Sequence, residues 1–157
     1  VHARQVGIIG GVALLAALGT APAAAQQPVC AATTQMVAFA DYDERSLTPA
    51  SATGQVRVAC DTTGTPYAVS LDAGTHSGGS FSSRVMTDAG GLYSLEYNLF
   101  IDSSRTQIWG DGTGATVIVS GTAQGAQDIL QVFGQIPALQ PVGVGLYADT
   151  VTATVEY

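Results

Sequence analysis

Hydrophobic and polar residues alternate with a period of two along much of the chain. From Thr150 to Tyr157 the side chains of Thr150, Thr152, Thr154 and Glu156 alternate with those of Val151, Ala153, Val155 and Tyr157. Successive side chains of a strand point to opposite faces, so this stretch predicts a strand with one apolar face and one wet face. It is largely β-branched and carries no Gly or Pro, which suits a pleated surface. The same alternation puts Val56, Val58 and Cys60 on one face over residues 54–60, and Tyr67, Val69 and Leu71 together over residues 67–71. A longer strand is predicted over residues 92–102, with Leu95, Tyr97, Leu99 and Ile101 in phase. Further candidates are residues 30–39, 116–121 and 129–136, with short ones at 84–86 and 107–109.

Turn chemistry separates these runs. Residues 61–66, 72–83, 88–91 and 137–143 are rich in Gly, Pro, Asp, Ser and Thr, and residues 41–49 interrupt the pattern with charge and a proline. The Asp111-Gly112 pair is a hairpin signal, because glycine supplies the positive φ that such turns need. No segment has a helical period. About eight short strands at these spacings predict an all-β fold, a single β-sandwich.

Composition narrows the class. Charged residues make up 11% and hydrophobic ones 46%, with 19 glycines, which is a strand-and-turn composition. A net charge of −7 argues against binding a nucleic-acid backbone, which needs a basic footprint. His2 and Arg4 precede an apolar run over residues 6–18, followed by Ala21-Pro-Ala-Ala-Ala25. This predicts a secretory signal over residues 1–25, cut after Ala25, with the β-domain over residues 26–157. An uncleaved anchor is the alternative, but the apolar run falls short of the ~20 residues a membrane span needs. No later segment is apolar enough to span, so no transmembrane segment is expected after signal removal.

Cys30 and Cys60 are the only cysteines. In an exported chain an even pair is most simply one disulfide, here stapling the first strand to the second. Closing that loop stabilises by roughly 3–4 kcal/mol on the chain-entropy model. Two free thiols or a metal site are the alternatives, and a metal would need more ligands than the domain's single histidine, His76, supplies.

Candidate chemistry is sparse, and no catalytic residue, cofactor or metal site is expected. His76 sits in a Gly/Ser loop, the setting of a solvated histidine more than of a catalytic base. Asp41, Asp43 and Glu44 are oxygen ligands of the kind Ca²⁺ uses, but without calcium-loop spacing they read as a solvated turn. Asp111 reads as a turn former. Trp109, Tyr93, Tyr97 and Phe100 suit either a core or a ligand platform, and Trp109 is the candidate for a surface ligand contact.

Phe39-Ala-Asp-Tyr-Asp43, Gly54-Gln-Val-Arg-Val-Ala-Cys60, Leu95-x-Tyr-x-Leu-x-Ile101, Trp109-Gly-Asp-Gly-Thr113, Val132-Phe-Gly-Gln-Ile-Pro137 and the tail from Tyr147 to Tyr157 follow one another in an order that resembles the spore coat protein U domain family. That family includes the Csu-type archaic chaperone–usher pilins, and the resemblance spans nearly all of residues 26–157. It implies an exported, Ig-like, pilin-like sandwich lacking its own final strand, and a structural protein, not an enzyme. A periplasmic chaperone lends a strand, an outer-membrane usher assembles the subunits, and a neighbouring pilus or coat subunit then fills the gap. On this basis Val151, Ala153, Val155 and Tyr157 line an acceptor groove, and the family's disulfide falls at Cys30 and Cys60. The implied setting is the periplasm and then the cell surface, with roles in adhesion and biofilm formation. The other reading is a self-contained secreted β-sandwich that binds a ligand such as carbohydrate.

The resemblance departs at one point. A cut after Ala25 leaves only Gln26, Gln27, Pro28 and Val29 ahead of the first cysteine. Those residues reach roughly 13 Å, too short to fill a neighbour's groove. Pro28 also lacks a ladder donor. Such a chain accepts a strand without donating one, which is the expectation for a tip or accessory subunit.

Overall fold

In the computed structural model, residues 27–157 are described; the expected leader over residues 1–25 lies outside them. Among the described residues eleven strands occur in the order Cys30–Gln35 (β1), Ala50–Cys60 (β2), Pro66–Leu71 (β3), Arg84–Asp88 (β4), Ser94–Phe100 (β5), Ile108–Trp109 (β6), Thr116–Val117 (β7), Val119–Thr122 (β8), Asp128–Ile136 (β9), Tyr147–Ala148 (β10) and Ala153–Glu156 (β11). Among the described residues no helix is long and apolar enough to cross a membrane.

Two sheets enclose one core. The larger runs β1-β2-β9-β5-β4-β10, with β6 and β7 attached to β5; the smaller runs β11-β3-β8. The longest ladder is β2 on β9, from Ala50 opposite Ile136 to Val58 opposite Asp128. It places Val56 and Val58 on the same side as Val132 and Ile136, and all four are buried. Tyr67, Val69 and Leu71 of β3 cover them from the second sheet, and Leu95, Tyr97 and Leu99 of β5 complete the cluster. These are the side chains that the alternation assigns to the inner faces, because only one register buries all of them.

Cys30 lies directly opposite Cys60 in the β1–β2 ladder, and the two form a disulfide. Cys30 is buried, whereas Cys60, expected inside with the valines, is half-buried at the strand end.

Local differences from the sequence reading have physical causes. The run 116–121 divides at Ile118: β7 joins β6 in the larger sheet and β8 joins β3 in the smaller. The Asp111-Gly112 turn forms, with Gly112 at φ 84° and Asp111 Oδ1 accepting from Thr113 N and Oγ1. The strands it connects nevertheless run parallel, so it is not a hairpin. The predicted first strand leaves its ladder after Gln35, although Val37 and Phe39 still pack on the core. The strand predicted from residue 92 begins at Ser94, and Leu92 is exposed in the turn before it.

Candidate functional site

A groove of about 1030 Å³ opens along the seam between the sheets. Its floor includes Val56, Leu71, Leu95, Leu99, Val132 and Ile136, so core side chains are reachable from outside. Residues 34–44 form one wall, and residues 142–151 with Ala153 form the other. β1 and β11 each stand at the end of their sheet's strand order. β1 pairs only with β2 and β11 only with β3, so each has one edge outside the ladders. Thr34 and Gln35 of β1 and Ala153 of β11 line the groove. β1 and β11 also come within 8 Å of each other without a ladder, so the apolar floor can hold an extended segment beside Thr34, Gln35 and Ala153 but not along the whole of both edges.

The first wall is seated by glycine. A Cβ on Gly54 would stand 2.6 Å from Gln35 O and 2.7 Å from Val37 Cγ2, and one on Gly134 would stand 2.6 Å from Val37 Cγ1 and 2.7 Å from Phe39 Cζ. The wall therefore lies down on the sheet only because both positions lack a side chain. Phe39 meets the Tyr97 ring edge-on at 6.4 Å. Further along, the Tyr42 hydroxyl donates to Pro137 O and accepts from Gln140 N, both at 2.8 Å. The Gln140 side chain continues the ladder: Oε1 accepts from Glu96 N at 2.8 Å and Nε2 donates to Glu96 O at 2.9 Å. Gly134→Ala is expected to lift this wall and to cost about 1–2 kcal/mol in urea unfolding, with the larger share in faster exchange of wall amides.

The second wall is anchored by Asp149, whose side chain is 1% exposed. Oδ1 accepts from Thr75 N at 3.0 Å and Thr75 Oγ1 at 2.6 Å, and lies 3.0 Å from His76 Nδ1. Oδ2 accepts from the Tyr97 hydroxyl at 2.7 Å. Burial opposes ionisation of Asp149, but the hydrogen bonds from Thr75, Tyr97 and His76 outweigh it and hold the carboxyl below the usual carboxylate range. Burial, and then the bond to Asp149, push the Tyr97 phenol well above its ordinary value. Asp72 fixes the approach to β11, its Oδ1 accepting from Thr152 N and its own N–H donating to Thr152 O, both at 3.0 Å.

Of the four residues expected in the groove, Val151 and Ala153 line it. Val155 packs on the core outside the lining, and Tyr157 lies past β11, 57% exposed. The expectation of one continuous lining face fails there because the groove follows the run before β11 and leaves the strand after its first residue. Trp109 is not a surface contact. It is fully buried, its indole N–H donates to Val69 O at 2.9 Å, and its carbonyl accepts from Arg84 at 2.7 Å. The loop after it returns over it, with Gly110 O accepting from Leu71 N and Gly110 N donating to Val117 O.

Two arrangements escaped the sequence reading. Arg84 is buried and binds backbone carbonyls, and Asp149 organises a loop far away in sequence. Neither has a periodic signature; only the pairing of β4, β5 and β10 brings them together. His76 also gains neighbours: Nδ1 faces Asp149, and Nε2 is 3.3 Å from Thr87 Oγ1. This hydroxyl–imidazole–carboxylate order is that of a nucleophilic relay. Thr87, however, is held in β4 between β5 and β10. The groove is lined by Asp149 but by neither His76 nor Thr87, so the relay has no substrate space there. Asp41, Asp43 and Glu44 share the first wall of the groove, and among the described residues no three His, Cys, Asp or Glu side chains converge as a metal would require.

Fold and groove together define an all-β, pilin-like sandwich whose core opens along one seam. The family model of the Spore Coat Protein U domain matches residues 15–154, and the chain belongs to that family. Among solved structures, it is similar to a chain in the crystal structure of the CsuC–CsuE chaperone–tip adhesion subunit pre-assembly complex from archaic chaperone–usher Csu pili of Acinetobacter baumannii. The identity is 26% and the TM-score 0.60, over 83% of this chain and 40% of that one. The chain thus spans less than half the length of that relative. A looser likeness, 18% identical with a TM-score of 0.44 over 79% of this chain and 80% of the other, is to HdaB, the minor tip subunit of the E. coli Hda pilus. No curated protein matches the chain.

Proposed function

We propose that the protein is an exported structural subunit of a chaperone–usher pilus or surface coat, associating by donor-strand complementation. The observation that supports this best is the seam itself: an apolar groove flanked by the free edges of β1 and β11. An extended segment entering it would add backbone hydrogen bonds where the edges are open, beside Thr34, Gln35 and Ala153, and each apolar side chain it seated would gain up to about 1.5–3 kcal/mol. A periplasmic chaperone would supply that segment first, an outer-membrane usher would receive the complex, and a neighbouring subunit would then take the chaperone's place. Membership of the family and the likeness to a chain of a chaperone–subunit complex favour the same reading.

Within the assembly, an accepting role at or near the tip, in adhesion and biofilm formation, follows from the short arm. Of the residues left by a cut after Ala25, Val29 is already engaged, its N–H donating to Asp61 Oδ1 and its carbonyl accepting from Asp61 N. A mature protein beginning at Gln26 is expected on N-terminal sequencing; a start well before Ala21 would restore a donor arm and make this a shaft subunit. The groove is tested by hydrogen exchange on the protein alone and with a pilus-type chaperone. The amides of residues 36–40 and 149–151, which lie outside the ladders of β1, β10 and β11, should exchange fast alone and slow when bound. A partner-free monomer protected throughout these segments overturns the proposal. The carbohydrate-module alternative relied on Trp109 as a platform, and its burial removes that support.

A further inference from the structure

Resting on the strand-accepting reading, we infer that the groove selects a donor segment whose alternating apolar side chains are flanked by Lys or Arg. The floor asks only for apolar groups, so charge discrimination has to come from the walls. Wall residues 34–44 end in Asp41, Asp43 and Glu44, and all three are exposed. Few cations offset them. Arg45 approaches Glu44 no closer than 3.9 Å and is itself 88% exposed. Arg57 lies along Gln55, Arg84 is buried under the sheets, and Arg105 is bound to Gly134 O and Ser103 O. The opposite wall adds no positive charge: residues 142–151 hold Asp149 and no Arg. Beside the Tyr42–Gln140 clasp stands Glu96, exposed and bound through its backbone.

An acidic flanking segment entering this groove would bring like charges together beside an apolar floor that excludes water. A basic one would meet exposed carboxylates whose attraction is largest at low ionic strength. The wall of residues 34–44 is eleven residues long, roughly 35 Å if fully extended, so a donor of about ten residues reaches the acidic end with its flank. The uncharged residues Gln26, Gln27 and Pro28 do not meet this requirement.

The test uses the exported protein and two synthetic peptides sharing one alternating apolar core, flanked on both sides by two lysines or by two glutamates. The lysine peptide should bind about tenfold or more tightly at low salt, with the gap shrinking by about 0.5 M salt, where screening is short-ranged. In the triple variant Asp41→Asn, Asp43→Asn, Glu44→Gln the preference should largely vanish while binding of the apolar core persists. That variant separates the wall from the protein's overall negative charge. Equal binding of the two peptides, or a preference unchanged in the triple variant, overturns the inference and leaves the groove reading standing. Binding of neither peptide, with no change in exchange along residues 36–40, removes both.

Discussion

Arg84→Met is expected to cost the folded state about 3–5 kcal/mol, the largest loss from any single substitution considered for this protein. Arg84 is 0% exposed, yet no carboxylate receives its hydrogen bonds. Nε and Nη2 donate to Asp72 O at 3.1 and 2.7 Å, Nη2 also to Trp109 O at 2.7 Å, and Nη1 to Asn98 Oδ1 at 2.7 Å. The guanidinium stands 5.5 Å from the Phe81 ring centroid. It thus joins β4, β5, β6 and the end of β3 at one point. Methionine replaces much of the volume, so the cost is not a cavity. The cost is the orphaned acceptors, each worth about 1–3 kcal/mol when buried without a partner. Asn98 Oδ1 keeps the N–H of Leu99, which limits the loss there. Burial pulls the Arg84 pKa down, with the fields of Tyr97, Asp72 and Asp149 opposing it, but a guanidinium starts high enough to stay charged at neutral pH. Arg84→Lys should recover less than half the loss, since the three donors of an ammonium leave one atom, whereas the acceptors here are reached from Nε, Nη1 and Nη2 of a planar fork. Denaturant midpoints at constant slope measure both. A loss below about 1 kcal/mol for the methionine variant would show that these carbonyls find other partners.

The sandwich was legible because its inner faces are written as alternation. Val56 and Val58, Tyr67 to Leu71, and Leu95 to Leu99 each announce both a strand and the face it buries. Partnership is another matter. Nothing in residues 116–121 says that the chain changes sheets at Ile118, because alternation continues through the switch. Likewise the pattern through Val37 and Phe39 reads as strand, yet those side chains sit over Gly54 and Gly134 without a ladder. The groove was anticipated through the family resemblance, not through residues, and its lining shows the difference. Val151 and Ala153 line it, while Val155 and Tyr157, of identical phase, do not. Trp109 shows the limit of composition: an indole serves a core or a platform equally well, and its placement depends on the loop that returns over it. The polar anchors Arg84 and Asp149 were illegible, because single charged residues carry no period and their partners lie up to 74 positions away in sequence, so a ladder must form before they meet.

Asp149→Ala is the second large effect, about 2–4 kcal/mol at neutral pH, and its pH dependence separates it from that of Arg84. The carboxylate accepts from Thr75 twice and from Tyr97, and faces His76. Its removal strands these donors and frees the wall that precedes β11. The groups around it are His76 on the loop after β3, Tyr97 on β5, and more distantly Arg84 and Asp72, whose fields are felt at Tyr97. The folded-state pKa of Asp149 lies below that of an unfolded aspartate, about 3.9. A depressed pKa means that the unfolded state takes up the proton first as pH falls. The contribution is therefore complete above the unfolded value and is lost as pH drops through the folded one. The parent protein should lose stability steeply below about pH 4, and Asp149→Ala should lack that part of the slope, so the two stability curves converge in acid. Arg84→Met should instead run below the parent by a similar margin across the same range, since its guanidinium does not titrate there. Parallel curves for the parent and Asp149→Ala would mean that this carboxyl is not the group whose ionisation pins the wall.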